Sequence, residues 1–319
     1  MITVLTGGTG GAKFVDGLRQ IVKPEDLTII VNTGDDMVWW GLYVSPDIDS
    51  ITYMFAGKLS PERGWGLKGE TFHCLRTMGQ LGQPIWFHTG DRDLATHILR
   101  SKLLADGKAL SDVTAEISSK YGIRARILPM SNSRVETRVM TPGGEISFEE
   151  FFVQRWYQDP VRSVRFAGAS DAEPAPGVIE AIRGAEIILL APSNPVSSIA
   201  PILAVPGIRE ALRETRARTV AVSPIVAGAA VSGPAGAMMA AMGFDVSIAG
   251  VADFYRDFLD VLVVDTADAE TAKALPKGGM RVYCTRTIMR SAKDRVALAK
   301  AVVAAARQTL AAEAASEAP

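Results

Sequence analysis

A glycine-rich stretch near the start of the chain has the composition of a phosphate-binding loop. Residues 7–13 read Gly-Gly-Thr-Gly-Gly-Ala-Lys, follow a short apolar run and open a segment with helical periodicity. Glycines let a phosphate come close to the backbone, and a helix N-terminus offers free N–H groups and a positive dipole end. The candidate nucleotide-binding residues here are Gly8, Thr9, Gly10, Gly11 and Lys13.

This stretch departs from two well-known phosphate-binding patterns. Lys13 stands where the third glycine of the dinucleotide fingerprint GxGxxG belongs, and the Walker sequence requires Gly-Lys followed by Ser or Thr. The alternative is a tight glycine turn with a purely structural role. We favour phosphate binding because strand, glycines and helix occur in the required order.

Four carboxylates fall within fifteen residues, in the segments 32–36 and 46–50: Asp35, Asp36, Asp47 and Asp49. Bringing these negative charges together costs free energy unless a cation or a hydroxyl pairs with them. Mg²⁺ prefers one or two carboxylates together with phosphate oxygens and water, which suits this pattern. Any single aspartate is equally explained as a helix cap or turn former. The group as a whole predicts a magnesium site.

Two further segments carry polar side chains next to predicted helix starts. In Gly90–His97, Arg92 is placed to bind a substrate oxygen, although Asp91 or Asp93 could simply cap the helix. The second segment, Ser193-Asn194-Pro195, offers small hydroxyl and amide donors, and helix capping explains it equally well. The three histidines show no paired spacing, so the sequence does not predict a zinc site.

Four tryptophans, Trp39, Trp40, Trp65 and Trp86, lie between the first carboxylate segment, 32–36, and Arg92. Such residues usually belong to a core, but a flat polycyclic substrate would also require an aromatic wall. No GxSxG or HExxH motif occurs in the sequence. The chemistry indicated is therefore positioning plus electrostatics, as phosphoryl transfer requires.

The elements that must position these residues follow an α/β rhythm. Short apolar runs at 2–5, 27–31, 186–191, 219–222 and 261–264 end in polar loops, and helix-length segments such as 12–21 and 199–213 follow several of them. This pattern predicts a Rossmann-like, mostly parallel sheet with ligands at the carboxyl ends of its strands. We predict one α/β domain over 1–310, with a helical and hairpin insertion at about 58–165 and a disordered tail at 311–319.

Composition limits the partners. The net charge is −1, with 34 basic and 35 acidic residues, so no global basic field predicts binding to nucleic acid or to a membrane. No apolar stretch is long enough for a transmembrane helix, and the first residues do not resemble a secretion signal. With two distant cysteines, we expect a cytoplasmic protein whose thiols are reduced.

Together the loops resemble one family, the 2-phospho-L-lactate transferases of coenzyme F-420 biosynthesis, including its phosphoenolpyruvate transferase branch. The motifs that carry the resemblance are GGTGGAKF (7–14), NTGDD (32–36), SPDIDS (45–50), RGWG (63–66), GDRDLATH (90–97), LPMSNSRVETRV (128–139), APSNPVSSIAPIL (191–203) and SPIVAG with VSGPAG (223–236). They occur in family order. After Asp265 we can match no motif.

The resemblance implies a homodimer in which the ribityl hydroxyl of the deazaflavin FO attacks a lactyl-diphospho-guanosine and GMP leaves. Asp49 and Arg92 match the family's deazaflavin contacts, and Asp35 with Asp49 match its magnesium ligands, so both aspartates are catalytic candidates. The glycine loop and Ser193-Asn194-Pro195 would serve the guanosine diphosphate.

The resemblance does not decide which acid is transferred, because RGWG and GDRDLATH resemble the enolpyruvyl branch and the SGPAG loop resembles the lactyl branch.

One rival function is a non-catalytic nucleotide-sugar-binding regulator of the same fold. The presence of Asp49 and Arg92 within their full motifs argues against this function. A second rival is an NAD-dependent oxidoreductase. It is disfavoured by the missing third glycine and by Asn32, which stands where an acidic ribose ligand is expected.

Overall fold

A seven-stranded sheet forms the centre of the molecule. The computed structural model describes residues 1–275 and 279–316, with side chains as far as residue 308. The strands are β1 (Ile2–Thr6), β2 (Leu27–Val31), β3 (Met37–Trp39), β4 (Leu42–Val44), β5 (Arg126–Pro129), β6 (Glu136–Thr141), β7 (Gly144–Ser147), β8 (Ser163–Ala167), β9 (Ile187–Leu190), β10 (Arg218–Val222), β11 (Ile225–Val226), β12 (Ala229–Ala230), β13 (Val261–Asp265) and β14 (Arg281–Thr285). The sheet order is β14-β13-β10-β9-β1-β2-β5, and all neighbours are parallel.

Helices cover both faces of this sheet. They are α1 (Thr9–Leu18), α2 (Pro46–Phe55), α3 (His73–Gln80), α4 (Asp91–Ala105), α5 (Leu110–Lys120), α6 (Val178–Arg183), α7 (Ala200–Ala204), α8 (Ile208–Glu214), α9 (Ala235–Ala241), α10 (Ile248–Tyr255), α11 (Ala269–Lys273) and α12 (Ala292–Ser316). Short π-helical turns occur at Glu150–Gln154 and Pro195–Ile199. The predicted α/β Rossmann-like fold is confirmed.

The central strands are buried on both faces because their side chains are apolar on both faces. Within β1, Leu5 packs into one core, whereas Val4 packs into a second core on the opposite side of the sheet. Ile30 and Ile29 of β2 divide in the same way. A strand that alternates between two dry layers reads as an unbroken apolar run, which is why the sequence indicated a parallel sheet.

The direction in which strands are added reverses between β1 and β9. From β1 the chain adds β2 and β5 on one side, and then returns to place β9, β10, β13 and β14 on the other side. Such a reversal, at the carboxyl ends of the two central strands, is where open α/β sheets usually bind ligands. We call this place the crevice between β1 and β9. The loops that meet here are the glycine loop after β1 and the Ser193 loop after β9.

The segment predicted as an insertion contains α3, α4, α5 and an antiparallel sheet of order β7-β6-β8. The predicted hairpin is the β6–β7 pair. Strand β5 also lies in this segment, yet it extends the central sheet beside β2. The division of the chain into one domain with an insertion stays a prediction.

The helix predicted at 199–213 is instead two helices, α7 and α8. Pro206 disfavours a helical conformation at Val205, which is extended, and Gly207 takes a left-handed conformation with φ of +89°. The tail predicted at 311–319 lies beyond the described side chains, and 317–319 lie outside the described residues. Among the helices that the structure describes, none combines the length and apolar character needed to cross a membrane.

Candidate active site

The two predicted nucleotide-binding loops meet at the crevice between β1 and β9. The Gly7 N–H donates a hydrogen bond to Ser193 Oγ at 3.3 Å. Gly10 lies close to the next loop as well, since a Cβ on Gly10 would come within 3.0 Å of the Pro192 carbonyl oxygen. The sheet therefore brings together two segments that are 186 residues apart in sequence.

Helix α1 directs its N-terminus at this crevice. The helix begins at Thr9, and the Gly8 N–H before it donates to the carboxylate of Asp47. A Cβ on Gly8 would collide with Asp47 Oδ1, and one on Gly7 would collide with Ser198. Glycine is required here because other backbone and side-chain groups fill the space where a side chain would begin.

The remaining predicted nucleotide-binding residues surround the same place. Thr9 is exposed at the start of α1, and Lys13 is half-buried one turn later. In the other loop, Asn194 caps the π-helical turn by accepting a hydrogen bond from Val196 N at 3.0 Å, and Pro195 is the first residue of that turn. The capping role that the sequence left open for Asn194 is present in the structure.

Asn32, at the end of β2, holds two of the predicted carboxylates together. Its Nδ2 donates to Asp35 Oδ2 at 3.1 Å and to Asp47 Oδ2 at 2.9 Å. It also contacts the Ser197 carbonyl at 3.3 Å, beside the π-helical turn after β9. One buried amide thus places Asp35 beside Asp47, between the glycine loop and the Ser193 loop.

Asp36 and Glu149 complete a buried group that we call the acidic cluster: Asp35, Asp36, Asp47 and Glu149. Burial, followed by repulsion from Asp47, Glu149 and Asp36, raises the pKa of Asp35 well above its usual range. Burial raises the pKa of Asp36 to about 8 although Ser45 and Tyr43 donate hydrogen bonds to it. Burial likewise raises the pKa of Asp47 to about 6, and burial with Asp47 and Asp36 raises that of Glu149 to about 8.

The acidic cluster fits a divalent cation. Asp35 Oδ1 is buried and has no hydrogen bond of normal geometry among the described residues. The Thr137 hydroxyl lies near Asp35 and lowers its pKa, but it does not offset the effect of burial. Mg²⁺ takes oxygen ligands, and a diphosphate bound at the glycine loop would lie against the negative charge of Asp47. A cation between them would satisfy the unpaired oxygen and remove the repulsion.

Asp49 points to a different set of partners. Its carboxylate pairs with both terminal nitrogens of Arg100 on α4, and Arg100 Nη1 lies 3.1 Å from Asp49 Oδ2. The His97 Nδ1 lies 3.6 Å from the same oxygen. On the far side of His97, Asp93 accepts a hydrogen bond from the Tyr53 hydroxyl at 2.6 Å. Asp49 is therefore part of a buried network between α2 and α4.

Three members of this network also have the composition of a metal site. One ligand atom each from Asp49, Asp93 and His97 lies within 4.8 Å of the others, the single such group of three in the described part of the chain. His97 is 2 % exposed, and its Nε2 has no hydrogen-bond partner within the described residues. The Arg100 guanidinium already supplies a positive charge to Asp49 at this position.

Arg92 lies at the exposed start of α4, two turns before Arg100. Its Nη1 donates to the Lys68 carbonyl at 3.0 Å, and Glu70 accepts the N–H groups of Arg92 and Asp93 at the helix N-terminus. The intervening loop also approaches the glycine loop, since a Cβ on Gly64 would lie 3.1 Å from Thr9 Cγ2. Arg92 and the glycine loop therefore flank one segment.

Three of the four tryptophans form one cluster. The ring centroid of Trp39 lies 5.3 Å from that of Trp40 and 4.8 Å from that of Trp86. Trp65 lies apart, with the Arg63 guanidinium 5.2 Å from its ring centroid. The aromatic wall predicted for a flat substrate is therefore two separate surfaces.

Comparison with known proteins identifies the relatives of this chain. A model of the family described as 2-phospho-L-lactate transferase CofD matches residues 2–303. A 2-phospho-L-lactate transferase of Methanosarcina mazei is 42% identical over 302 residues, which cover 95% of this chain and 99% of that one. A phosphoenolpyruvate transferase of Streptomyces coelicolor is 44% identical over 285 residues, covering 88% and 89% of the two chains.

The chain belongs to the CofD family of 2-phospho-L-lactate transferases. It is therefore an enzyme and a transferase, which decides against the regulator and the oxidoreductase. A UPF0052-family protein of Bacillus halodurans has a similar structure, with a TM-score of 0.61, 18% identity and coverage of 95% of this chain and 98% of that one. At that identity the likeness shows the fold alone.

Several residues of this CofD-family site were missed by the sequence reasoning. One signal was the spacing of four and three residues between Asp93, His97 and Arg100, which places them on one face of a helix. Three polar residues on one buried helix face could have indicated a site. Glu149 carried no such signal. It lies in Phe-Glu-Glu-Phe-Phe, and nothing in that segment says which glutamate faces inward.

The acidic cluster predicts a pH-dependent gain in stability for Glu149→Gln. The pKa of Glu149 is about 8 in the folded chain against a usual 4.5. Between these values the folded state retains a proton that the unfolded state has lost, so this group lowers stability as the pH rises. Without added metal, the melting temperature of the variant relative to wild type should rise from about pH 5 to pH 8, by at least about 2 °C.

Thermal unfolding in EDTA, followed by circular dichroism, measures this difference. Glu150→Gln is the matched control, because Glu150 is the neighbouring glutamate and is paired with Arg155 at 2.7 Å. It should show no such gain. A difference for Glu149→Gln that is the same at both pH values would contradict the assignment.

Proposed function

We propose that this enzyme transfers a phospho-lactyl group, or a related phospho-acid such as an enolpyruvyl one, from a guanosine diphosphate carrier to the ribityl hydroxyl of the deazaflavin FO. GMP is released, and the product is an intermediate of coenzyme F-420. The observation that carries the proposal is the meeting of a glycine loop, a helix N-terminus and a carboxylate group at one sheet reversal. The family of the chain and its relatives support the same reaction.

On the donor side, the guanosine diphosphate is assigned to the crevice between β1 and β9. Gly8, Thr9, Gly10 and Gly11 supply backbone N–H groups, and Lys13 supplies a charge from the next turn of α1. Ser193, Asn194 and Pro195 form the opposite wall. The hydrogen bond from Gly7 to Ser193 supports this assignment, because it fixes the distance between the two walls.

Magnesium is assigned to Asp35, with Asp49 as the second ligand that the family resemblance implies. Asp47 is a rival for the second position, because it shares the Asn32 amide with Asp35 whereas Asp49 pairs with Arg100. When bound, the cation stabilises the charge that builds up on the departing phosphate oxygen. The unpaired Asp35 Oδ1 supports a cation at this place.

The deazaflavin is assigned to Asp49 and Arg92, with one or more of the four tryptophans along its ring. Asp49 and Arg92 are linked by α4, since Arg92 lies on that helix and Asp49 pairs with Arg100 of the same helix. One helix thus relates the two contacts. We also propose that the protein acts as a homodimer in the cytoplasm.

The transfer is in-line and direct. The ribityl oxygen forms a bond to the phosphorus that carries the acid, and the bond from that phosphorus to the GMP oxygen breaks with its electron pair. Asp49 accepts the proton of the attacking hydroxyl. A loose phosphoryl-transfer transition state requires little proton removal, so a carboxylate paired with an arginine is a sufficient acceptor.

The first prediction concerns the products of a single turnover. Mixed with FO and a lactyl- or enolpyruvyl-diphospho-guanosine, the enzyme should yield GMP and a phosphodiester of FO with the acid, detected by mass spectrometry. Comparing the two donors at equal concentration identifies the acid. Guanylylated FO, or a phosphorylated protein, would refute direct transfer at the acid-bearing phosphorus.

A second prediction concerns the metal. EDTA should abolish turnover, and Mg²⁺ should restore it. Asp35→Asn should lower turnover by about 100-fold or more, as expected when a charge-stabilising group leaves a transfer site. Titrating Mn²⁺ into Asp35→Asn, Asp47→Asn and Asp49→Asn, followed by electron paramagnetic resonance, identifies the second ligand. Unchanged Mn²⁺ affinity in Asp35→Asn would exclude a metal at the acidic cluster.

A third prediction concerns Arg92. Arg92→Ala should weaken FO binding by about tenfold, the loss expected for a hydrogen bond from a charged group, and should leave GDP binding nearly unchanged. FO fluorescence and GDP calorimetry measure the two affinities. Arg76→Ala removes another exposed arginine, on α3, and serves as the control. Equal losses for FO and GDP would mean that Arg92 only supports the fold.

A further inference from the structure

Arg100 is a charged residue in the protein interior, where a charge costs free energy because it is removed from water. Its side chain is 1 % exposed, although it belongs to a helix with an open face. Removing a guanidinium from water is favourable only if its donors are satisfied inside the protein. Both terminal nitrogens of Arg100 do find acceptors, and those acceptors are the two oxygens of Asp49.

The pairing fixes the plane of the Asp49 carboxylate. Two parallel N–H···O contacts from a planar guanidinium allow one relative orientation, which a single ammonium group would not impose. Burial lowers the pKa of Arg100, but Asp49 outweighs that effect and raises it above its usual range. The guanidinium that faces both oxygens of Asp49 therefore stays charged.

Further polar contacts from α4 surround the pair. The Arg100 Nη1 lies 3.4 Å from His97 Nδ1, and His97 Nε2 lies 3.5 Å from Asp93. Burial raises the pKa of Asp93, but the nearby His97 ring and the hydrogen bond from the Tyr53 hydroxyl outweigh this and leave it lowered. Asp93, His97 and Arg100 share one face of α4, so the helix holds the guanidinium in place.

We propose that Arg100 is a positioning residue for the transfer reaction, which orients the Asp49 carboxylate towards the deazaflavin hydroxyl. This inference rests on the proposed function, because it gives Asp49 a substrate to meet. It also accounts for the buried ion pair. Such pairs contribute little to stability compared with apolar residues of similar size, so geometry is the property that this pair supplies.

The test compares Arg100→Lys, which keeps the charge but loses the planar fork, with wild type. The expected result is a folded variant whose FO affinity falls about tenfold, the loss of one good charged hydrogen bond, while GDP affinity stays within about twofold. Arg295→Lys is the matched control. It changes another arginine that joins two helices through an aspartate, Asp16, with an Arg295 Nη1 to Asp16 Oδ2 distance of 3.0 Å, and both affinities should remain unchanged.

A double-mutant cycle separates positioning from support of the fold. If Arg100 acts through Asp49, then Asp49→Asn and Asp49→Asn/Arg100→Met should bind FO equally, because the group that Arg100 orients is already altered. The double variant has no unpaired buried guanidinium, so it answers the question even where Arg100→Lys does not fold. A further loss of FO affinity in the double variant would overturn the proposal.

Two other results would also decide whether Arg100 positions Asp49. Full FO affinity and turnover in a folded Arg100→Lys variant, or equal losses for FO and GDP, would overturn the positioning role and leave the proposed function intact. Wild-type protein that binds no FO would instead overturn the proposed function and the inference with it.

Discussion

Buried negative charge is the constraint around which this molecule is arranged. Five carboxylates, Asp35, Asp36, Asp47, Asp49 and Glu149, lie out of water close to the sheet reversal. The chain stabilises them in two ways. Asp49 pairs with an internal guanidinium, whereas the acidic cluster receives an amide, hydroxyls and a backbone N–H, and its pKa values rise.

These two ways of stabilising carboxylates match the two halves of a transfer reaction, the acceptor and the donor. The internally neutralised carboxylate can meet an uncharged acceptor, because its own charge is already balanced. The acidic cluster would be stabilised further by a cation, and it adjoins the loop whose N–H groups would bind a phosphate anion. In the proposed function, donor and acceptor chemistry would thus be separated by how each carboxylate is compensated, although Asp47 and Asp49 are only two residues apart on α2.

Much of this architecture could be predicted from the sequence, because the signals were local. Unbroken apolar runs predicted five of the seven central strands, and the glycine loop and the carboxylate segments were located by residue type. Pairing across the fold was not predictable in this way. The contact between Gly8 and Asp47 depends on the angle between α1 and α2, and the hydrogen bond from Gly7 to Ser193 depends on the order of strands in the sheet.

The partners of individual side chains were the hardest to predict. Sequence position grouped Asp49 with Asp35, but α2 turns successive aspartates in different directions, so that Asp47 meets Asn32 and Asp49 meets Arg100. A spacing of two residues on a helix rotates a side chain by roughly 200°. The element that packs on each side, β2 for Asp47 and α4 for Asp49, decides which partner each aspartate receives.

The hydrogen bond from Gly8 to Asp47 bears on how the crevice discriminates among the anions of a cell. A carboxylate already occupies a backbone donor that a phosphate would otherwise use, and its charge repels any bare anion that approaches. Inorganic phosphate, which brings no cation with it, meets that repulsion in full. If the crevice binds a diphosphate as we propose, a diphosphate that arrives as its metal complex would bring the compensating charge and would be favoured over simple phosphate.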